Sequence, residues 1–346
     1  MAAAQPGPEA LRLKEAINHN DLAEVQRMMI ANPALHSAPI GYGGDGALTW
    51  LAECRVPRVP PDATRLAMAQ WMIDNGSDPN QDGGGPLGRA ALDAMRIPMM
   101  ELLVANGADV NIVWRDNWPI LTSPCETLDP VMMRWLIEHG ADPNFGDRPK
   151  LGTALDYLLG AYGRDPVALK ECIDILLAAG GRTRHDRPGV LAVIRGRIDE
   201  LAGLIDADPA LVEARYPGLD IGTTAARMLT LKGATLLHAA TEFGEMEAAQ
   251  LLVARGANVN ARALVDESGV GGQTPLFHAA TQRDDRGLPM VRFLVEHGAD
   301  LSVRARVPGY YERLDEVLDV TALEYAVLFP GDGGPTQRYL RECSAA

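Results

Sequence analysis

Two histidines with polar neighbours at helical spacing are the residues of this chain best suited to chemistry. His238 is followed four residues later by Glu242, and His278 is followed four residues later by Gln282. Residues four apart lie on one face of a helix. A histidine beside a carboxylate can act as a general acid or base near neutral pH, or it can bind a polar ligand.

The strings around the two histidines can be aligned, LLHAATE with LFHAATQ. This alignment predicts that His238 and His278 occupy the same place on adjacent helices, and it gives them Tyr157 (LDYLL) and Tyr325 (LEYAV) as counterparts. Helices in contact lie about 8–10 Å apart, so both histidines can contact one small ligand. A structural role for the histidines, in which they bond only to their own fold, is the alternative.

The segment ALVDESGV lies just before His278 and adds two carboxylates, Asp266 and Glu267, which we expect above the histidines. No metal is predicted, because His238 and Glu242 form a single pair without a clear third ligand. The four cysteines are widely spaced and contain no CxxC pair. Glycine motifs that bind phosphate are also absent from the sequence. We therefore expect neither a metal nor a cofactor.

Composition narrows the class of protein. The chain has 346 residues, 47% of them hydrophobic and 23% charged, which predicts a folded protein. A net charge of −14 argues against nucleic-acid binding, because an acidic surface repels phosphates. No apolar run approaches the roughly 20 residues that span a bilayer, and the amino terminus lacks the features of a signal peptide. We expect a cytoplasmic protein, and its few lysines suggest a GC-rich bacterial source.

The elements that must position these residues recur along the chain. A helix that ends in glycine and a polar turn is repeated in the phrases MIDNGSDPN, LVANGADVN, LIEHGADPN, LVARGANVN and LVEHGADLS. Upstream of these ends lie strings such as GQTPLFHAA and GATLLHAA, where threonine can cap a first helix and proline suits its first turn. The pattern predicts pairs of helices that stack on the next pair.

A helix, a turn, a second helix, a glycine stop and a hairpin resemble the ankyrin repeat, and the motifs T-P-L and G-A-D-V-N carry the resemblance. It implies an all-α ankyrin-type solenoid of about nine irregular repeats, with elongated hairpins as fingers on one face. We expect a disordered tail over residues 1–8, repeats 1–5 over 9–183 and repeats 6–9 over 184–343, in one continuous array. In such arrays the first helices line a concave face.

Several hairpins are longer than the repeat requires. Asn80 to Asn111 is 31 residues, whereas Asn260 to Ser302 is 42. Other long segments are 216–233, which contains a potential short helix (TAARMLTLK), and 304–319. Insertions in a solenoid often map to its binding face, and tolerated drift of surface loops is the alternative.

Aromatic residues are scarce, yet several fall in hairpins: Trp114 and Trp118 in VWRDNWP, and Tyr310 and Tyr311 in PGYYER. Exposed aromatic side chains there are typical of contact residues, although they can also pin neighbouring hairpins together. The resemblance implies a binding module that recognises a protein partner through the concave face and the hairpins. The alternative is a small-molecule-binding protein or a metal-independent acid–base enzyme, with His238, His278 and Glu242 as catalytic residues.

Overall fold

The structure of the protein is a computed structural model that describes residues 6–41, 44–114, 118–146, 152–160, 165–221, 227–310, 313, 315–329 and 331–345. The chain divides into two compact units. The first joins Met1–Leu158 with Val167–Arg182, and the second joins Leu159–Pro166 with Thr183–Ala346. Within the predicted tail, residues 1–5 lie outside the described residues, and the first helix begins at Pro8.

Helices dominate the described residues of both units. In chain order they are α1 Pro8–Asn18, α2 Leu22–Ala31, α3 Ala47–Ala52, α4 Ala63–Asp74, α5 Gln81–Ala90, α6 Ile97–Ala105, α7 Thr122–Thr127, α8 Pro130–Glu138, α9 Ala154–Gly160, α10 Pro166–Ala178, α11 Val190–Ile194, α12 Ile198–Ala207, α13 Leu236–Phe243, α14 Met246–Ala254, α15 Pro275–Ala280, α16 Leu288–Glu296, α17 Ala322–Leu328 and α18 Pro335–Ala345. Short 3-10 turns cover Pro33–His36, Ala94–Arg96, Pro209–Glu213 and Arg283–Asp285.

Each unit stacks its helices in two rows. In the first unit α1 packs on α3 and α3 on α5, while α2 packs on α4 and α4 on α6. In the second unit the inner row runs α11, α13, α15, α17, and each helix packs on the next. Alanine and leucine side chains of α13 and α15 are fully buried between their neighbours. The core of the second unit therefore runs along this row of first helices.

The helix ends follow from local chemistry. After α6, Gly107 adopts a φ of +89°, a left-handed conformation that glycine takes without a Cβ penalty. This lets the Ala108 N–H donate to the Leu103 carbonyl at 3.0 Å and the Gly107 N–H donate to Val104 at 3.0 Å, which is a Schellman end. Helix starts are capped by side chains: at the start of α4, the Asp62 carboxylate accepts a hydrogen bond from the Arg65 N–H.

The asparagine of the repeated phrase links one turn to the next. Asn111 Nδ2 donates to the Gly140 carbonyl at 3.0 Å, and Asn111 Oδ1 accepts from the Asp142 N–H at 2.8 Å. The same pair of bonds joins Asn260 to Gly298 and Asp300, at 2.8 and 2.7 Å. We call these paired bonds the asparagine links. They give the G-A-D-V-N motif its physical basis, because each of its polar residues has a partner.

Two short antiparallel strand pairs accompany the helices in the described residues. Strand β1 (Val113–Trp114) pairs with β2 (Trp118–Pro119), and β3 (Arg304–Pro308) pairs with β4 (Val317–Thr321). The potential helix TAARMLTLK does not form where the structure describes it. From Arg227 onward that segment is irregular, and Arg227 makes an isolated bridge to Tyr310. No helix within the described residues is both long enough and apolar enough to cross a bilayer.

Candidate functional site

His238 is held by bonds at both ring nitrogens. It is the third residue of α13, which begins at Leu236 after Thr235. Its Nδ1 accepts from the Thr235 N–H at 3.2 Å and contacts Thr235 Oγ1 at 2.8 Å, while its Nε2 lies 3.1 Å from the Gln273 carbonyl. A carbonyl can only accept, so the proton is on Nε2. Burial lowers the pKa of His238 to about 3, which keeps the ring neutral.

His278 occupies a different position on its helix. It is the fourth residue of α15, which begins at Pro275, whereas His238 is the third residue of α13. Counted from the helix starts, the counterpart of His238 is therefore Phe277. Tyr157 and Tyr325 are also fourth residues, of α9 and α17, so they match His278 and not His238. The predicted equivalence of the two histidines was wrong by one residue.

That one-residue offset turns His278 toward Glu242 and creates a buried polar cluster of Arg227, Glu242 and His278. Arg227 Nη2 donates to Glu242 Oε1 at 2.7 Å, and His278 Nδ1 bonds Glu242 Oε2. All three side chains are at most 1% exposed. The two histidine rings also meet edge to face, with 5.7 Å between centroids. The predicted association of His238, Glu242 and His278 in space is thus present, with Arg227 as an additional member.

Charges in this cluster balance. Burial lowers the pKa of Arg227 to about 10, so the guanidinium is still a cation at neutral pH. Burial raises the pKa of the Glu242 carboxyl, and the adjacent guanidinium opposes that change because it stabilises the carboxylate. Burial, His238 and Arg227 together lower the pKa of His278. A neutral His278 donates from Nδ1 to Glu242, which leaves Nε2 as a buried acceptor without a partner in the described residues.

A cleft of about 300 Å³ opens beside this cluster in the second unit. Its walls are mainly apolar and come from two segments, 228–233 and 264–273, and from Pro217 and Pro308. The apolar lining residues are Pro217, Met228, Leu229, Leu264, Val265, Val270 and Pro308. We call this space the Gln273 cleft, after one of its lining residues. The Gln273 side chain donates from Nε2 to the carbonyl of Thr230, another lining residue, at 3.3 Å. The histidines do not line the cleft.

The buried residues nevertheless hold the cleft in shape. Arg227 Nη1 donates to the Leu229 carbonyl at 3.4 Å, which ties one wall to the cluster. The Gln273 carbonyl, which accepts from His238, ties the other wall to α13. Gly271 has a φ of +128° and bridges both Val265 and Arg306, and a Cβ there would lie 2.2 Å from the Leu264 carbonyl oxygen. Glycine is needed at this position.

The predicted contact residues near the cleft have distinct places. Asp266 lines the cleft at its rim, and its carboxylate accepts from the N–H groups of Ser268 and Val270 at 2.9 and 3.0 Å. Glu267 is exposed at the same turn. Gln282 donates from Nε2 to the carbonyls of Glu242 and His278, both at 3.0 Å. Gln282 therefore links the backbones of α13 and α15.

The aromatic residues predicted as contact residues also lie at separate places in the fold. Tyr325 is fully buried, and its hydroxyl donates to the Pro308 carbonyl at 2.8 Å, so it fastens β3 to α17. The Tyr310 ring lies 4.4 Å from Phe329, and Tyr157 donates to the Glu126 carboxylate. Of Trp114 and Trp118 the structure describes the backbone pairing alone. Tyr311 lies outside the described residues.

No sequence motif predicts the roles of Arg227 and Gln273. Arg227 stands 15 residues before Glu242 in a segment without helical periodicity, and no local motif marks it. Gln273 belongs to the string GQTPLFHAA, which indicates only a helix start. A signal for both was the glycine content of the flanking strings, LKGA and GVGG, which predicts close backbone approach. Among the residues that the structure describes, no group of three His, Cys, Asp or Glu side chains is placed to hold a metal.

Comparison with known proteins agrees with this architecture. The family model for ankyrin repeats (three copies) matches residues 168–305. B-cell lymphoma 3 protein homolog of Mus musculus is 32% identical over 96 residues, which are 28% of this chain and 20% of that protein. The chain thus spans about a fifth of the length of that relative.

A solved structure, titled the crystal structure of human ASB11 ankyrin repeat domain, is 21% identical. The match covers 75% of this chain and 97% of that one, with a TM-score of 0.39. The motifs, the helix pairs and the family match lead to one conclusion: residues 168–305 of this chain are ankyrin repeats.

Proposed function

We propose that the chain is a binding module that recognises a protein partner, with its elongated hairpins as fingers beside the concave face. Stacked repeats generally present extended surfaces for binding other proteins. The observation that carries the proposal is a pair of exposed apolar side chains, Leu264 (46% exposed) and Val265 (57%), at the mouth of the Gln273 cleft.

The segment that carries these two side chains is well ordered by hydrogen bonds. The Leu264 N–H donates to the Gly233 carbonyl at 2.9 Å, and the Ala263 N–H donates to Gln273 at 2.9 Å. The backbone therefore holds Leu264 and Val265 in the solvent. Consecutive apolar residues that are fixed next to an apolar cleft are typical of an interaction site. The stack of helices does not need them.

The aromatic residues contribute to this proposal unequally. Tyr310 contacts Phe329, and its hydroxyl donates to the Leu328 carbonyl at 3.3 Å, which supports a pinning role. Trp114, Trp118 and Tyr311 remain proposed partner contacts, in hairpins where exposed rings suit an interface.

Acid–base catalysis receives less support from the geometry. Both ring nitrogens of His238 are bonded within the protein, and His278 and Glu242 are fully buried. A catalytic base must come within hydrogen-bond distance of its substrate. In this conformation a substrate in the cleft contacts neither histidine. The catalytic roles of His238, His278 and Glu242 therefore stay predictions, and the small-molecule alternative depends on the cleft alone.

A site-specific photo-crosslinker tests the proposed function. We place it at Val265, and at Val131 as a matched control, because Val131 is 52% exposed on α8. In lysate of the source cells, Val265 should give one discrete protein adduct that the control position does not give. The purified partner should then bind the wild-type chain and bind the Leu264→Asp variant at least tenfold more weakly. If both crosslinker positions give the same adducts, or none, the proposal fails.

A further inference from the structure

The Gln273 cleft combines apolar walls with charged residues at its mouth. Its volume of about 300 Å³ lies at the lower end of ligand-pocket volumes, which suits a small molecule with one large apolar group. Pockets with mainly apolar walls take their specificity from a small number of polar groups. The lining residues with polar side chains therefore decide the class of ligand, and they are Thr230, Lys232, Asp266 and Gln273.

Gln273 is closed to a ligand, whereas Thr230 is not. The Gln273 side chain is 4% exposed, its Nε2 donates to the Thr230 carbonyl at 3.3 Å, and its Oε1 is buried. The Thr230 side chain is half-buried, and its Oγ1 accepts from the Lys232 N–H at 3.4 Å. A hydroxyl that accepts can still donate its own hydrogen, so Thr230 offers a donor to a ligand in the cleft.

Lys232 brings a positive charge to the mouth. The residue is exposed, and no carboxylate oxygen of the described residues lies within 4.0 Å of its ammonium nitrogen. Hydrogen bonds from an ammonium group to a carboxylate are stronger than those between neutral groups. Lys232, together with the neighbouring hydroxyl of Thr230, therefore favours a ligand with a carboxylate.

Asp266 brings a negative charge to the mouth, and its own turn holds it in place. Asp266 Oδ1 accepts from the N–H groups of Ser268 and Val270 at 2.9 and 3.0 Å, and the Asp266 N–H donates to the Val270 carbonyl at 2.8 Å. In the described residues these bonds use only one carboxylate oxygen, which leaves Oδ2 for a cation. A ligand ammonium group can bind there without first ordering the carboxylate.

The two charges belong to adjacent segments but do not neutralise each other. The Leu264 N–H donates to the Gly233 carbonyl at 2.9 Å, which sets the segment of Lys232 beside that of Asp266. The two side chains nevertheless form no ion pair. A ligand with a single charge is attracted by one of them and repelled by the other. A ligand that carries both signs next to an apolar group is attracted by both.

We propose that the Gln273 cleft binds a free apolar α-amino acid, with its side chain between the apolar walls, its carboxylate at Lys232 and Thr230, and its ammonium group at Asp266. The inference goes beyond the proposed function, because it concerns a small molecule and not the protein partner. Exposed ion pairs are weak, so each of the two charges should raise the affinity about two- to fivefold.

Four compounds with one phenyl group test the inference on the full chain at pH 7. L-phenylalanine carries both charges, 3-phenylpropionate carries only the carboxylate, 2-phenylethylamine carries only the ammonium group, and 2-phenylethanol carries neither. Binding is followed through the ¹³C-labelled methionine methyl groups, with the signal of Met228, which lines the cleft, assigned from a Met228→Leu variant. We expect L-phenylalanine to bind with a Kd in the millimolar range, about two- to fivefold more tightly than either compound with one charge.

Two variants assign each charge to its residue. Lys232→Met keeps the apolar stem and removes the cation, so L-phenylalanine should then bind no more tightly than 2-phenylethylamine. Asp266→Asn keeps an acceptor for the turn and removes the anion, so L-phenylalanine should then bind no more tightly than 3-phenylpropionate. Glu267→Gln is the matched control, because Glu267 is exposed at the same turn but does not line the cleft, and it should leave every affinity ratio unchanged.

Three outcomes would overturn the inference. In the first, neither L-phenylalanine nor L-leucine shifts the Met228 methyl signal. In the second, the four compounds bind equally, or Lys232→Met and Asp266→Asn change all affinities together and leave their ratios as in the wild type, which is the result of a role in folding alone. In the third, Glu267→Gln changes the ratios as much as Asp266→Asn does. The proposed function is tested separately, by the crosslinker at Val265, and none of these outcomes alters it.

Discussion

His238 and His278 stand 40 residues apart and use their rings differently, because they lie at different distances from the start of their helices. His238, the third residue of α13, contacts Thr235 through Nδ1 and the Gln273 carbonyl through Nε2. The fourth residue of α15 faces Glu242. A shift of one residue rotates a side chain by about 100° around the helix axis, which is sufficient to give two identical side chains different partners.

The buried histidines predict a loss of stability at low pH. The pKa of His238 is about 3 in the folded chain and about 6.5 in the unfolded chain. Between these values the unfolded chain binds more protons than the folded chain, so the free energy of unfolding falls as the pH falls. The contribution of His238 to stability is fully present above about pH 7. His238 alone should cost about 3 kcal/mol between pH 7 and pH 4. The lowered pKa of His278 adds a cost of the same sign.

Hydrogen exchange of the α13 and α15 amides, corrected for intrinsic rates, measures this loss. Tryptophan fluorescence would not report on these helices directly, since Trp50, Trp71, Trp114, Trp118 and Trp135 all belong to the first unit. His278→Asn keeps a donor for Glu242 but does not titrate, and it should reduce the pH dependence. Protection that is constant from pH 7 to pH 4 would contradict the prediction.

Local sequence could predict the histidines as a cluster but not their roles. The spacing of His238 and Glu242 placed them on one face, and the structure has them in one cluster with His278. The role of each ring depended on its distance from the residue at the N-cap position, Thr235 or Thr274, and not on the repeated letters H-A-A-T. Caps define the register of short helices, and the string that follows does not.

At the scale of elements, a buried ion pair ties an irregular segment to the helix stack. Residues 227–233 contain neither helix nor strand beyond isolated bridges, yet they form a wall of the Gln273 cleft. Arg227 secures them through Glu242 of α13, and the Leu231 N–H donates to the Ile221 carbonyl at 2.8 Å. The shape of the cleft depends on a contact that lies outside it.

Removal of one partner from this pair should be costly. Glu242→Leu removes the carboxylate that accepts a hydrogen bond from the buried Arg227 guanidinium, and we expect a loss of about 3–5 kcal/mol in the free energy of unfolding. The double variant Arg227→Met with Glu242→Leu should regain much of this loss, because apolar side chains of similar volume can replace a buried pair. Urea unfolding followed by circular dichroism measures both variants. A double variant as unstable as the single one would contradict this interpretation.

Helix pairs were predictable because their signals are local, whereas the cleft was not. The glycine after α6 and the aspartate before α4 terminate or cap helices within a few residues of themselves. The cleft instead joins residues 217, 228–233, 264–273 and 308, which are far apart in sequence. One of its lining residues, Gln273, bonds the Thr230 carbonyl across 43 residues of sequence. No periodicity in the sequence indicates such a contact.

At the scale of the whole molecule, both units use the same bond to register one repeat on the next. Asn80, Asn111 and Asn144 form asparagine links in the first unit, and Asn260 forms one in the second. In stacked repeats the total stability is approximately a sum of repeat and interface contributions. Each link therefore contributes locally, to the two repeats that it joins.

Loss of one asparagine link should have a measurable and local cost. Asn111→Ala removes two hydrogen bonds and should lower the free energy of unfolding by about 1–2 kcal/mol, with reduced hydrogen-exchange protection near Gly140 and Asp142. Asn75→Ala is the control, because the side chain of Asn75 bonds the Trp71 carbonyl of its own helix. Equal losses in the two variants would show that the links do not couple repeats.

The asparagine links tolerate very different lengths of intervening chain. Asn80 bonds a glycine 27 residues ahead, Asn111 one 29 ahead, Asn144 one 36 ahead and Asn260 one 38 ahead. The same bond thus forms between turns that are adjacent in space, whatever the number of residues between them in the sequence. Evolution, or an engineer, can therefore lengthen, shorten or exchange the loops between two links as separate cassettes, and specificity can change while the framework that carries it keeps its alignment.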